Sequence, residues 1–399
     1  MQHIQQETFL ADRTRNMGSS AIREILKLAA RPDIISLGGG MPSPDAFPTE
    51  FIDELYRRAL EHYGTEALQY TRTEGFPPLR EALVDHLAAQ QIEVGPEEVF
   101  VTTGSQSVLD AMGKILISPG DRIAVEAPTY LGALQAFNPY EPAYVQIDMD
   151  EHGLIPDSLE RVIAEHRPKF AYLSPTFQNP TGRTLSLERR KRVAEIIERS
   201  DTIVIEDDPY GALRYRGDWV PPIRTFAPDH VLYTGSFSKV FAPGLRVGYY
   251  VAPERVRQWL VIAKQGVDLN TSSLTQALCT EFIAGGYHAR HLPKIIEIYR
   301  PKQEVMLEEM ERHFPGSFTW SQPDGGMFIW AEGPAGADME KIYEEGIRNN
   351  VAFVPGKFFF SDQASGKATM RLNFTVNSPE NIRTAIERLG VSIRSVLGS

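Results

Sequence analysis

Residues 233–246 read Tyr-Thr-Gly-Ser-Phe-Ser-Lys-Val-Phe-Ala-Pro-Gly-Leu-Arg, and they begin in a short apolar run that predicts a buried strand. Lys239 lies between two hydroxyl residues, Ser236 and Ser238, and the cation Arg246. Burial and a nearby positive charge both lower the pKa of a lysine and make its amine a usable nucleophile. A surface lysine in a serine-rich loop would have the same local sequence, so the rest of the chain has to separate the two interpretations.

The composition is that of a globular protein large enough for two domains, with 399 residues, 42% hydrophobic and 23% charged. A formal net charge of −11 argues against a nucleic-acid partner, because binding phosphate groups needs a basic surface. The single cysteine, Cys279, permits no intrachain disulfide, which suits the cytoplasm. Residues 1–17 lack the apolar core of a signal peptide, and no apolar run is long enough to span a membrane.

Apolar runs alternate with amphipathic segments between residues 99 and 251, which predicts βαβ units and a largely parallel sheet. The predicted strands cover residues 99–102, 122–126, 144–147, 170–173, 202–206, 231–233 and 247–251. Ligands of such sheets bind at the carboxyl ends of the strands. Several polar residues come just after a predicted strand, and we expect them to form one site: Ser105, Tyr130, Asn179, Asp207, Tyr210 and Lys239.

The turn Thr103-Gly-Ser-Gln106 joins the first of these strands to a helix predicted over residues 108–116. A strand, a Gly-Ser turn and a helix N-terminus can bind an anion, because free N–H groups and the helix dipole face the ligand. The turn lacks the glycine and lysine spacing of a Walker loop, and an ordinary helix cap is the alternative interpretation.

The pattern changes at a long helix predicted over residues 288–313, which we expect to break or kink at Pro301. Short strands then alternate with helices, as in a smaller α+β domain. In the strand predicted over residues 369–374, Arg371 falls among the polar residues that point away from the core-facing side. There it would either clamp a carboxylate with two prongs or be exposed to solvent, and its place within a strand favours the clamp.

Together these residue types meet the requirements of pyridoxal phosphate. Lys239 can form a Schiff base, Asp207 can pair with the protonated ring nitrogen, and Tyr130 offers a ring face. Asn179 and Tyr210 can donate to the phenolate. The groups available to a phosphate are Ser105, Gln106, Ser236, Ser238 and Arg246.

The sequence contains no motif for a metal site or for a serine hydrolase. The histidines show no His-x-x-x-His pair backed by a third ligand, so we predict no metal site. The Gly-x-Ser-x-Gly elbow of serine hydrolases is also missing.

Three ordered motifs carry a resemblance that extends over essentially the whole chain. Ser236-Phe-Ser-Lys239 with Pro243-Gly-Leu-Arg246, then Asn179-Pro-Thr-Gly182 and Asp207-Asp-Pro-Tyr210, resemble the fold-type-I aminotransferases of class I and II. Within that family the chain is most similar to the 2-aminoadipate/kynurenine aminotransferase branch. The residues that carry this finer likeness include Leu68-Gln-Tyr70 and Gly325-Gly-Met-Phe328.

The resemblance implies an α/β architecture, in which helices sandwich a mostly parallel sheet in a large cofactor domain and a smaller α+β domain is built from both chain ends. The corresponding division is an N-terminal arm with part of the small domain (1–45), a large pyridoxal phosphate domain (46–287) and a small C-terminal domain with its connecting helix (288–399). It also implies a homodimer with shared active sites, in which Tyr70 reaches the neighbouring subunit's phosphate.

The implied reaction transfers an amino group between an L-amino acid and a 2-oxo acid such as 2-oxoglutarate by ping-pong kinetics. The donors implied are 2-aminoadipate, glutamate and larger aromatic or aliphatic amino acids. Lys239 would move the proton from the substrate Cα, Gly40 would line the substrate carboxylate, and Arg23 would swing in to pair with acidic side chains.

Two rival functions stay open on the sequence. A pyridoxal phosphate-dependent carbon–sulfur β-lyase would have a similar cofactor site. The same domain also serves as an effector sensor in some transcription factors, but those carry an N-terminal DNA-binding domain, and we expect none because about 17 residues precede the fold and the chain is acidic.

Overall fold

The computed structural model describes residues 10–17, 31–362 and 364–398. Arg23 and the helix predicted around it lie outside the described residues. The strands are β1 Ile35–Ser36, β2 Val99–Thr102, β3 Arg122–Glu126, β4 Ala143–Ile147, β5 Met149–Asp150, β6 Gly153–Leu154, β7 Phe170–Leu173, β8 Ile203–Asp207, β9 Val231–Ser236, β10 Gly248–Val251, β11 Thr319–Trp320, β12 Phe328–Glu332, β13 Val351–Ala352, β14 Val354–Pro355 and β15 Thr369–Asn373.

The α-helices follow the amphipathic segments of the sequence. They are α1 Ile52–Tyr63, α2 Pro77–Ala88, α3 Ser105–Leu116, α4 Leu131–Phe137, α5 Pro156–His166, α6 Leu187–Glu198, α7 Glu254–Gln265, α8 Ser273–Ala284, α9 Tyr287–His313, α10 Met339–Arg348 and α11 Pro379–Leu397. None of these described helices is both long enough and apolar enough to cross a bilayer.

Seven strands form the large sheet, in the order β2-β10-β9-β8-β7-β3-β4. Every neighbouring pair is parallel except the two pairs that involve β10, which runs antiparallel to β2 and β9. Strands β2, β7 and β8 are buried at every position, as expected for strands with both faces covered. The predicted, mostly parallel sheet is therefore confirmed.

Helices cover both faces of this sheet because the strand side chains alternate between two cores. In β7, Tyr172 belongs to a cluster with Leu109 of α3 and Leu260 of α7. Its neighbour Ala171 belongs to another cluster, which includes Val193 of α6. This alternation turns one face of β7 toward each helical layer.

The smaller sheet has the order β11-β12-β15-β14 and is antiparallel throughout. Strand β1, from near the N-terminus, pairs in parallel with β13, so that Ile35 lies opposite Val351. Both ends of the chain thus contribute to this region. The domain boundaries at residues 45 and 287 stay a prediction.

The expected break at Pro301 is wrong, since α9 continues as a helix through Pro293 and Pro301 to His313, while the alternative of a kink there stays a prediction. Residues on both sides of Pro301, among them Tyr299 and Met306, are fully buried in one apolar cluster with residues of α11. This burial offsets the hydrogen bond that a proline cannot donate.

Candidate active site

A cavity of ≈ 330 Å³ lies at the carboxyl ends of the strands of the large sheet. Among the described residues, its wall brings together those that the sequence predicts for the site, apart from Tyr70. The predicted residues in the wall are Gly40, Ser105, Gln106, Tyr130, Asn179, Asp207, Tyr210, Ser236, Ser238, Lys239, Arg246 and Arg371. The six residues predicted from their shared position after a strand all line this one cavity.

Lys239 follows β9 and reaches across the cavity to the N-terminal segment. Its Nζ donates a hydrogen bond to the Gly40 carbonyl oxygen at 2.9 Å and lies 6.0 Å from the centre of the Tyr210 ring. Burial, with Arg371 and Arg246 nearby, lowers the pKa of Lys239 to about 8. An appreciable fraction of the amine is therefore neutral, and nucleophilic, near neutral pH.

Asp207 is the last residue of β8, and its carboxylate is buried. Oδ2 accepts a hydrogen bond of 2.7 Å from the hydroxyl of Tyr172. Oδ1 is buried and has no hydrogen-bond partner among the described residues. Burial raises the pKa of Asp207 to about 7, against the lowering effect of the Tyr172 hydrogen bond. Oδ1 can therefore accept a hydrogen bond from a ligand in the cavity.

Arg371 of β15 is buried, which excludes the solvent-exposed alternative. Its Nη1 donates to Oδ1 of Asn179 at 2.8 Å and its Nη2 to the Gly38 carbonyl oxygen at 2.7 Å. The guanidinium lies over the ring of Phe328 at 4.3 Å and that of Phe359 at 4.8 Å. Within the part of the chain that the structure describes, this cation has no carboxylate partner.

Asn179 connects this cation to a phenol. Its Nδ2 donates to the hydroxyl of Tyr210 at 3.4 Å, while its Oδ1 accepts from Arg371. Burial raises the pKa of Tyr210 above its ordinary value, so this phenol keeps its proton. Tyr130 lines the same cavity, and burial raises its pKa as well.

The N-terminus of α3 forms the opposite side of the cavity. The helix begins at Ser105, earlier than the predicted residue 108, directly after Gly104 in the left-handed region (φ 77°). A Cβ atom at Gly104 would lie 2.5 Å from Nη2 of Arg246, so the guanidinium packs against the turn only because glycine is there. Arg246 itself has φ 53°. The helix N-terminus and this cation face the same space.

Two serines and a glutamine complete that side. The Ser236 hydroxyl donates to Oγ of Ser238 at 2.9 Å and accepts from the backbone N–H of Ser238 at 3.1 Å. The side chain of Gln106 donates to the Gly132 carbonyl oxygen at 2.6 Å. Its backbone N–H lies in the first turn of α3, where N–H groups have no acceptor within the helix. Together with Arg246 they form a cradle for an anion.

Comparison with known proteins decides the family. The sequence model described as aminotransferase class I and II matches residues 32–389. The chain belongs to this family. Aromatic-amino-acid aminotransferase 1 of Thermococcus litoralis is 44% identical over 395 residues, which cover 97% of this chain and 94% of that relative.

Further relatives support the same conclusion. The 2-aminoadipate transaminase of Thermus thermophilus is 41% identical over 383 residues, which cover 95% of each chain. The solved structure of Pyrococcus horikoshii kynurenine aminotransferase in complex with PMP superposes with a TM-score of 0.94 at 41% identity over 98% of both chains. The predicted fold-type-I architecture and transaminase activity are confirmed.

The cofactor of this aminotransferase is pyridoxal phosphate. The wall of the cavity fits it on independent grounds. The unpaired Oδ1 of Asp207 suits a ring N–H, and the helix N-terminus beside Arg246 suits a phosphate. Lys239, with its lowered pKa, suits the aldehyde carbon.

Of the described residues that the sequence predicted for the site, Tyr70 is not in the wall of the aminotransferase cavity. Tyr70 is 79% exposed, and the hydrogen bond recorded for it runs from its backbone N–H to Oε1 of the adjacent Gln69. Its predicted role in a neighbouring subunit stays a prediction. Arg23 lies outside the described residues.

Sequence reasoning missed several residues of the wall, among them Tyr172, Gln135, Leu131 and Phe359. Tyr172 lies within β7 rather than after it, so a search of strand ends passes over it. Leu131 and Gln135 are four residues apart on α4 and so share one face of that helix. This spacing, directly after Tyr130, was a usable signal.

Proposed function

We propose that this aminotransferase accepts both acidic donors (2-aminoadipate and glutamate) and larger aromatic or aliphatic L-amino acids, with 2-oxoglutarate as an acceptor. The carrying observation is the buried cation of Arg371, which has no ion pair among the described residues and lies in the wall of a cavity that is lined by both polar and apolar side chains. Leu131 and Phe359 offer apolar surface, and Gln135 offers an amide. The names of the relatives, which cover aromatic and aminoadipate substrates, support the same range.

Arg371 binds the α-carboxylate of the substrate in this proposal. A planar guanidinium matches a carboxylate with two parallel hydrogen bonds, which fixes orientation as well as charge. The rings of Phe328 and Phe359 hold the guanidinium from its faces, and Asn179 fixes one of its nitrogens. Gly40 would line the substrate carboxylate, and its carbonyl oxygen accepts a hydrogen bond from Nζ of Lys239 in the same cavity.

Pyridoxal phosphate, when bound, supplies an electron-accepting ring that stabilises negative charge at the substrate Cα. Asp207 would hold the ring nitrogen, and Asn179 with Tyr210 would hold the phenolate oxygen. The phosphate would lie among Ser105, Gln106, Ser236, Ser238 and Arg246, and Tyr130 would cover a ring face.

Lys239 is the residue that we assign to proton transfer. Its Nζ lies between the Gly40 carbonyl and the Tyr210 ring, so a neutral amine there can take the proton from the substrate Cα. The lowered pKa of about 8 keeps the amine available as a base near neutral pH. Tyr210, which keeps its proton, acts as a hydrogen-bond donor.

The active unit in this proposal is a cytoplasmic homodimer with shared sites. The motivation is the family resemblance together with Tyr70, which lies outside the wall of its own cavity and is 79% exposed. Exposure of a large aromatic side chain at this level is common at protein interfaces.

A panel of amino donors with 2-oxoglutarate or pyruvate as acceptor tests the substrate range. We expect glutamate formation from 2-aminoadipate, leucine and an aromatic amino acid. Release of ammonia and pyruvate from cystathionine without any 2-oxo acid would instead identify a β-lyase. Activity with one donor class alone would refute the proposed range.

A further inference from the structure

Tyr172 and Asp207 lie side by side in the large sheet although 35 residues separate them. Strands β7 and β8 are parallel neighbours, and their register places Tyr172 opposite Ile205, two residues before Asp207. Residues two apart point to the same face of a sheet, so both side chains emerge together. The phenol hydroxyl then donates to Oδ2 of Asp207 at 2.7 Å, with both residues buried.

This hydrogen bond leaves the two carboxylate oxygens with different surroundings. Oδ2 is satisfied by Tyr172, while Oδ1 has no partner among the described residues. Asp207 and Tyr172 both line the cavity. One fixed oxygen sets the orientation of the carboxylate plane and so directs the free oxygen to the ligand space.

We propose that Tyr172 is a positioning residue for Asp207, which it orients and keeps ionised so that Oδ1 binds the protonated ring nitrogen of the cofactor. This inference rests on the proposed role of Asp207. Tyr172 would act through the carboxylate of Asp207 and not on the substrate. Its effect would therefore be limited to ligands that carry the ring nitrogen.

The charges around Asp207 explain why a donor is needed there. Burial raises the pKa of Asp207, the adjacent Asp208 raises it further, and the Tyr172 hydrogen bond acts in the opposite direction. The phenols of Tyr130 and Tyr210 are also close enough to interact with this carboxylate. Burial raises the pKa of Tyr172 well above its ordinary value, so its hydroxyl stays a donor.

The test measures cofactor affinity in Tyr172→Phe by titrating the apoprotein and following visible absorbance. Pyridoxal phosphate is compared with an analogue in which carbon replaces the ring nitrogen. We expect Tyr172→Phe to weaken pyridoxal phosphate binding about tenfold, the scale of a charge-assisted hydrogen bond, and to leave the affinity for the analogue unchanged. The matched control is Tyr250→Phe, a buried tyrosine of the same apolar cluster for which no contact with Asp207 is described.

A double variant separates positioning from general damage. Tyr172→Phe added to Asp207→Asn should cause no further loss of affinity, because Tyr172 acts only through the carboxylate. This comparison also serves if Tyr172→Phe alone does not fold, since the double variant leaves no carboxylate unpaired. An additional loss in the double variant, or an equal loss for both ligands in the single variant, would overturn the inference.

The two proposals can fail separately in this experiment. If Asp207→Asn binds pyridoxal phosphate and the carbon analogue with the same relative affinity as the parent protein, the role of Asp207 fails, and the inference on Tyr172 falls with it. The other outcome is that Asp207→Asn changes the ratio of the affinities for pyridoxal phosphate and the carbon analogue while Tyr172→Phe keeps the ratio of the parent protein. In that case the inference on Tyr172 alone is wrong.

Discussion

Replacing Arg371 tests the assignment of the substrate carboxylate most directly. The guanidinium makes hydrogen bonds of 2.8 Å to Asn179 and 2.7 Å to Gly38, and its Nε has no partner among the described residues. Burial lowers the pKa of Arg371 to about 10, which still leaves the side chain cationic at pH 7. A charge-assisted hydrogen bond contributes roughly 1.5–3 kcal/mol, or about ten- to a hundredfold in binding.

Arg371→Leu should therefore lower kcat/KM for amino acids at least a hundredfold, because it removes the ion pair and also leaves Oδ1 of Asn179 unpaired. Arg371→Lys keeps the charge but loses the two-pronged geometry, so a loss of about tenfold is expected. The assay is the single-turnover absorbance change of the bound cofactor with each donor. A primary amine without a carboxylate serves as a comparison substrate and should react equally with parent and variants.

The matched control is Arg183→Leu, because Arg183 pairs with Glu332 at 3.1 Å and is not in the cavity wall. It should leave KM for amino acids unchanged. Equal losses on the amine and on the amino acids, or an unchanged KM in Arg371→Leu, would refute the reasoning.

Three further predictions concern Lys239, Tyr70 and Arg23. Because burial with nearby Arg371 and Arg246 lowers the pKa of Lys239 to about 8, the apoprotein should take up pyridoxal phosphate faster as the pH rises through that value; a midpoint near pH 10 in stopped-flow absorbance would contradict this. If subunits share sites, mixing inactive Lys239→Ala chains with strongly impaired Tyr70→Phe chains should restore activity, whereas a fully active monomer in sedimentation would exclude sharing. Arg23→Ala should impair 2-aminoadipate and glutamate while sparing leucine, since only acidic side chains lose an ion pair; equal losses on all donors would reject the role.

The sequence predicted the sheet well because its strands are short apolar runs bounded by helices and turns. Residues 122–126 and 170–173 form strands with the predicted bounds. The meeting of the six post-strand residues in one cavity wall followed from the same pattern, since the carboxyl ends of parallel strands converge. Composition and spacing could not reveal that α9 would continue through Pro301, because that outcome depends on burial against α11.

The rest of the site depends on tertiary pairing that has no local signal. Tyr172 meets Asp207 only because β7 and β8 are adjacent and in one particular register. The partners of Lys239 and Arg371 include the carbonyl oxygens of Gly40 and Gly38, which any residue type could supply. Arg371 was correctly placed in a strand, but its burial between two phenylalanine rings comes from strand pairing and from residues distant in sequence.

The local charge of the cavity differs from that of the chain, and the difference bears on the chemistry. The net charge is −11, yet the described residues of the wall carry three basic side chains, Lys239, Arg246 and Arg371, against the single carboxylate of Asp207. The two arginines help to hold Lys239 neutral. A phosphate at Arg246 and a carboxylate at Arg371 would cancel part of that effect and raise the proton affinity of the amine. Burial, the largest cause of the lowered pKa of Lys239, would remain and would still favour the neutral amine that takes the substrate proton.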